Sequence, residues 1–275
     1  MTEAKVRAGT TVDDIYQVLR ERIIEGTYGP KTRMSQRDLA EELDVSRTPL
    51  REALRRLEAD GLLVSEANRG MQVAPIANAD TEQHYAMRLL VEPPVIAALV
   101  GEFTEADLDA MREVLDRMSA VVDRTREFQE AHRHFHDVAL VRYPPTIAEL
   151  TRSLHVMIYR HQRAYFSRPR APEEILRTDE AFLAAIAARD AGLVRQLLEF
   201  HLLDAALGLV LDFDPDHRFD AILLALRGLG ITLDHDEKGR VTRPARVGWA
   251  RSDAARMPAI TTTNLVYEPR SETQP

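Results

Sequence analysis

The stretch SQRDLAEELDVSRTPLREALRRLEADG, Ser35 to Gly61, reads as two short helices joined by a tight turn, the second studded with arginine on one face. Ser35 with Asp38 three residues on has the form of a capping box, and Leu39, Ala40 and Leu43 make the buried stripe of the first helix. Asp44 and Val45 form the turn. Ser46 is a second N-cap, and Pro49 falls in the first turn, where its missing N–H does little harm. Leu50, Ala53, Leu54 and Leu57 then share one face, while Arg47, Arg51 and Arg55 lie on another, since residues four apart stay aligned to within about 40°. Gly61 suits a left-handed C-terminal cap.

Working outward, Thr11 and Asp14 make another capping box, and Val12, Ile15, Tyr16, Leu19 and Ile23 recur at helical spacing to about Gly26. The segment GTYGPKTRM reads as a loop. Downstream, LLVSE and MQVA are two short β-like runs separated by ANRG, which predicts a hairpin with Arg69 at its tip. Three helices and a hairpin make a winged helix. A helix with arginines at its N-terminal end fits the major groove of B-DNA, where guanidinium forks can reach guanine or clamp phosphate, and Ser46 and Thr48 add hydroxyls. The same spacing also fits a solvated face in which the arginines pair with Glu52 and Glu58.

The run Gly29-Pro30, Leu39-Ala40, Val45-Ser46-Arg47-Thr48-Pro49, Arg51-Glu52-Ala53-Leu54, Leu57, Gly61 and Asn68-Arg69-Gly70 resembles the N-terminal winged helix of GntR-family transcription regulators. The resemblance implies that Arg37, Ser46, Arg47, Thr48 and Arg51 contact an operator, with Arg69 and Gly70 of the wing reaching the minor groove. Asp44 stands where that family commonly has glycine, a departure that would tilt the turn.

Composition narrows the setting. The chain has 275 residues, no cysteine and a formal net charge of -8. Disulfides, thiolate zinc sites and cysteine nucleophiles are excluded, and an acidic chain needs a local basic patch for any work on DNA. No signal peptide or membrane-length apolar run is visible, so a soluble, cytoplasmic protein with no membrane partner is expected.

From about Asp80 the pattern is helical to Leu211, with Pro93-Pro94 expected to kink or end the first of these helices. The fold expected is mainly α: an N-terminal winged helix-turn-helix (1–76), an antiparallel all-α bundle (77–211) and a small C-terminal extension (212–275) without assigned role. Within the bundle, AHRHFHD sets His132 and His136 four apart on one helical face, a familiar chelating spacing and by itself a weak signal.

The bundle resembles the FCD ligand domain that follows the winged helix in the FadR subfamily of GntR regulators. Metal-binding members of that family carry D-x-x-F-H on one helix, then a histidine on each of two later helices. Here Phe135-His136 stands in place, His132 occupies the Asp position, Asp179 takes the next histidine's place, and His201 before Leu202 matches the last. Two ligand positions have exchanged types, yet His132, His136, Asp179 and His201 still supply three imidazoles and a carboxylate, a set suited to zinc, nickel or manganese. Glu180 replaces Asp179 if the register is one residue off. A bound divalent ion with open positions would attract a small carboxylate effector, and a nearby arginine would fix its other end, with Arg88, Arg152 and Arg160 as candidates; Arg88 stands where the family often has Arg ahead of Glu, and alternatively pairs with Glu92 at i,i+4.

The function expected is a homodimeric, ligand-responsive DNA-binding transcription regulator, a repressor on double-stranded DNA with an inverted-repeat operator, and no catalytic residues. Two alternatives stand beside it: a metalloenzyme using the His/Asp cluster, and a DNA-binding module whose bundle only dimerises.

Overall fold

Local capping signals set the boundaries of the first unit. A computed structural model describes residues 11–66, 70–75, 78–166, 168, 170–250 and 257–269, with backbone alone at 66, 160, 161 and 163–165. The chain divides into two compact units, Met1–Ala77 and Asn78–Pro275.

In the first unit, α1 (Val12–Ile24) starts on the Thr11/Asp14 capping box, with both reciprocal bonds formed. Helix α2 (Gln36–Leu43) starts on Ser35, whose hydroxyl accepts from the Asp38 N–H; the return bond expected of a full box is not formed, and the Asp38 side chain stays exposed. Helix α3 (Arg47–Ala59) buries Leu50, Ala53, Leu54 and Leu57, which close with Ile15, Leu19, Ile23, Leu39 and Leu43 into the core of this unit. Strands β1 (Leu63–Glu66) and β2 (Gly70–Val73) pair antiparallel, Leu63 opposite Val73.

Two local readings change. Residues 31–34 are not simply a loop: Lys31 and Met34 donate to the carbonyls of Val73 and Met71, so this segment lies along the other edge of β2. Its four polar-to-mixed residues are too few to show an alternating pattern. Asp44 keeps the conformation in which glycine is usual. It takes the left-handed conformation itself, φ 52° and ψ 49°, and its N–H still caps α2.

In the second unit, α4 (Asn78–Leu99) runs through Pro93 and Pro94 without ending. The prolines remove two intrahelical donors, but Tyr85, Leu89, Pro93 and Ile96 remain buried along the helix, which packs on α9. There follow α5 (Glu105–Ala120), α6 (Thr125–Ala139), α7 (Pro145–Phe166), α8 (Ala171–Ala187) and α9 (Ala191–Phe213). Helix α9 is buried nearly all round, from Val194 to Leu211, which is the signature of a central helix.

The extension is folded onto the same core. Helix α10 (Asp220–Leu229) begins where its first amides find a partner: Glu82 of α4 accepts from Ala221 N (2.7 Å) and Ile222 N (3.0 Å). Strands β3 (Ile231–Leu233), β4 (Ala245–Trp249), β5 (Ile260–Thr261) and β6 (Leu265–Tyr267) form one sheet in the order β3-β4-β6-β5. Phe219, Ile222, Leu226, Ile231, Val247 and Leu265 join the core of the bundle. Among the described residues, no helix is long and apolar enough to cross a membrane.

Candidate functional site

The first unit presents its functional side chains outward. Arg37 in the first turn of α2 and Ser46, Arg47, Thr48 and Arg51 at the N-terminal end of α3 are all exposed. The arginines of that helix divide by what they touch. Arg55 pairs with Glu52 at 3.2 Å, and Arg56 pairs with Asp13 and lies over the Tyr16 ring at 4.6 Å. Arg37, Arg47 and Arg51 have no ion pair with a described residue, so their charge is available to a partner. Ser46 is extended and makes no side-chain cap bond, leaving its hydroxyl free at the positive end of α3. Gly70 opens β2 with φ 81°, a conformation only glycine adopts readily, although a Cβ there would meet nothing within 4 Å. Arg69 lies outside the described residues.

The second unit turns its polar side chains inward. Helix α6 sets His132 and His136 one turn apart on its buried face, with their Nε2 atoms 3.1 Å from each other. Asp179 reaches them from α8, 3.5 Å from Oδ2 to His132 Nε2, and its Oδ1 stands 3.7 Å from Nδ1 of His201 on α9. One ligand atom from each of the four residues falls within 4.8 Å of all the others. Glu180 is exposed, so Asp179 is the carboxylate of this group, and His134 is exposed on the far side of α6. Phe128 stacks on His132 and Phe166 meets it edge-on, closing the group with apolar rings.

Burial dominates the electrostatics. It pushes His132 and His136 well below the ordinary histidine value and His201 down to about 3, with neighbouring imidazoles and Arg88 adding to the effect in all three. Burial pushes Asp179 well above the ordinary aspartate value, with Glu180 adding a little. Three neutral imidazoles therefore surround a carboxyl group whose Oδ2 is buried without a hydrogen bond. A divalent cation fits this arrangement: it would make the carboxylate the favoured form and use the imidazoles as they stand. Donors at the usual bond lengths around one four-coordinate ion lie about 3–3.5 Å apart; the pairs at 3.1, 3.5 and 3.7 Å are near that spacing, and all four donors lie within 4.8 Å of one another.

The effector-binding candidates fare differently. Arg88 is buried and not free, for its Nε and Nη2 fork onto Glu92 at 2.6 and 3.1 Å. The i,i+4 pair is what forms, because a buried guanidinium without a counter-ion would be far too unfavourable. Burial raises the Glu92 carboxyl, but Arg88 and His155 outweigh it and hold the group at about 2. Arg152 is exposed and joins no buried group, and the Arg160 side chain lies outside the described residues. Sequence reasoning missed His155, whose Nε2 lies 3.3 Å from Glu92 and whose ring is 6.1 Å from that of His136. A lone histidine amid the apolar periodicity of α7 carried no signal. It links the ion pair to the four-donor group.

Residues 11–73 match the family model for bacterial regulatory proteins of the gntR family, and residues 83–204 match the FCD domain. Among curated relatives, the uncharacterized HTH-type transcriptional regulator YdhC of Bacillus subtilis is 29% identical over 126 residues, 45% of this chain and 56% of that protein. The match thus spans only about half the relative's length. The HTH-type transcriptional repressor RspR of Escherichia coli is 25% identical over 191 residues, 68% of this chain and 84% of that one. The crystal structure of a GntR transcriptional regulator from Rhodococcus sp. RHA1 is 30% identical with a TM-score of 0.63, covering 72% of this chain and 97% of that one. These relatives are regulators of transcription, not enzymes.

Proposed function

The chain belongs to the GntR family of bacterial regulatory proteins, with an FCD domain behind its DNA-binding helices, and on that premise we propose that it is a repressor whose hold on DNA is set by a small organic acid bound in the bundle. A homodimer would place one α3 in each half of an inverted-repeat operator, in the cytoplasm where the DNA lies. Repression is the favoured sense because the relative RspR carries that role in its name. The direct readers are Arg37, Ser46, Arg47, Thr48 and Arg51, with Arg69 and Gly70 supporting them from the wing.

His132, His136, Asp179 and His201 would hold a zinc, nickel or manganese ion. When bound, such an ion supplies positive charge and coordination positions that attract a carboxylate. The observation that carries this reading is the buried Oδ2 of Asp179, unpartnered among three neutral imidazoles. An effector held there can change DNA occupancy only to the extent that it binds one arrangement of the protein better than another. Neither Arg88 nor Arg152 is assigned to the effector: the first is committed to Glu92 and the second is exposed.

Elemental analysis of protein purified without added metal, then denatured, tests the site. The expected result is roughly one divalent ion per chain, lost in His136→Ala. Metal-free wild-type protein would sink the metal reading and leave a bundle that serves dimerisation.

A further inference from the structure

The four donors are buried. The pocket that His201 shares with Glu174, Ile175, Thr178 and Asp204 has a volume of only about 10 Å³, room for a single water at most. Beside it lies a cavity of about 550 Å³, lined by Arg170, Glu173, Glu174 and Arg177 of the α8 end and by Thr261, Thr262 and Thr263. That volume suits a small organic ligand. Glu174 lines both spaces. It stands five residues before Asp179 on α8, an axial rise of about 7.5 Å.

Thr262 and Thr263, in the turn between β5 and β6, line the outer cavity and bond to two residues that line the inner space, Asp204 and Glu174. Thr263 donates to Glu174 through its N–H (3.2 Å) and its hydroxyl (3.1 Å). The buried Thr262 hydroxyl donates to Asp204, and Asn264 Nδ2 donates to the Asp204 carbonyl at 3.2 Å. Asp204 lies three residues beyond His201 on α9, so the turn is fastened one helical step from the donor group. It is fastened by side chains more than by a ladder. Strand β5 is two residues long and sits at the edge of its sheet, with β6 as its neighbour. Short edge elements held by few backbone bonds are the first to open locally.

We propose that the β5–β6 turn, Thr262–Asn264, is a gate between the outer cavity and the four donors, latched by Glu174 and Asp204. The gate comes from residues beyond those that match the FCD domain, which end at 204. A ligand arriving in the outer cavity reaches His201 and Asp179 only when the latch releases. That metal and acid are what pass rests on the function proposed above; that the turn opens onto the imidazoles does not.

The test therefore needs no metal. Full-length protein treated with chelator is exposed to diethyl pyrocarbonate, and the rate of modification at each histidine is followed by mass spectrometry. Glu174→Ala and Thr262→Val should speed modification of His201 at least about fivefold, while the exposed His134 and His235 react at unchanged rates. Glu174→Gln and Thr262→Ser keep an acceptor and a donor, and should restore the slow rate. Equal His201 rates in wild type and both unlatching variants, with unaltered thermal unfolding, would overturn the gate. Faster reaction at every histidine, exposed ones included, would also overturn it, since that is loss of fold and not opening. Elemental analysis of the same wild-type preparation before chelation decides the metal reading separately.

Discussion

The two units treat charge in opposite ways. In the winged helix, Arg37, Arg47 and Arg51 stand in solvent with no counter-ion among the described residues, whereas in the bundle Arg88, Glu92, Asp179 and three histidines are buried together. An exposed charge costs the fold almost nothing and stays available for a partner; a buried one must be satisfied within the protein or by what the protein binds. The first unit therefore separates function from stability, and the second couples them. Substitution on α3 should change binding and spare the fold, while substitution around Glu92 should damage the fold outright.

The largest effect is expected at Glu92. Glu92→Gln leaves the Arg88 guanidinium buried without its counter-ion, and should destabilise the bundle by about 3–5 kcal/mol in chemical denaturation. Arg88→Met together with Glu92→Leu should recover much of that loss, because the penalty lies in the unpaired charge. Acid should act on the same pair. The Glu92 carboxyl is depressed from 4.5 to about 2 in the folded chain, so its contribution is present above the unfolded value and is lost as pH falls through about 2. Unfolding midpoints measured from pH 6 downward should fall in wild type, and by less in the doubly apolar variant. Equal pH slopes would deny Glu92 this role.

On the exposed side, Arg47→Ala and Arg51→Ala should each weaken operator binding by about 1–3 kcal/mol and leave folding stability within about 0.5 kcal/mol. Fluorescence anisotropy with labelled operator at several salt concentrations separates two roles. An arginine on a base edge relaxes specificity at one position, and an arginine on phosphate lowers the salt slope by about one. Unchanged affinity in both variants would remove α3 as the reading element. A large loss of stability would break the contrast between the units.

The same contrast explains how much was legible in the sequence. Capping residues, a turn and an exposed arginine face are local signals, so the α3 start at Arg47 and the hairpin were readable from a few neighbouring residues. His132 and His136 were readable as a pair because helical spacing puts them on one face. Asp179 and His201 needed the family resemblance, since nothing local says that α8 and α9 aim at α6. The commitment of Arg88 to Glu92 was visible as one of two options, and burial decides between them. His155 carried no pattern at all. The sheet of the extension was largely missed because its strands are two to five residues long, below the length at which alternation emerges, and β4 pairs with β3 and β6 across intervening chain.

The smallest expected effect lies at Asp44, where the winged helix itself departs from its family. An aspartate held at φ 52° carries a steric penalty that glycine avoids, though Asp tolerates this region better than most side chains. Against that gain, glycine adds conformational freedom to the unfolded chain. The left-handed strain outweighs that added freedom, so Asp44→Gly should stabilise the first unit by about 0.5–1 kcal/mol. It also removes a negative charge two residues before Ser46, next to the face that must approach phosphate. Operator affinity should rise slightly, with the difference shrinking as salt is added. Denaturation of Asp44→Gly, Asp44→Asn and wild type separates the two contributions, because asparagine removes the charge and keeps the side chain. If Asp44→Asn reproduces the whole gain in affinity and none of the gain in stability, charge acts on the DNA and backbone strain acts on the fold. That outcome would extend to a single residue the separation of binding from stability that marks this unit.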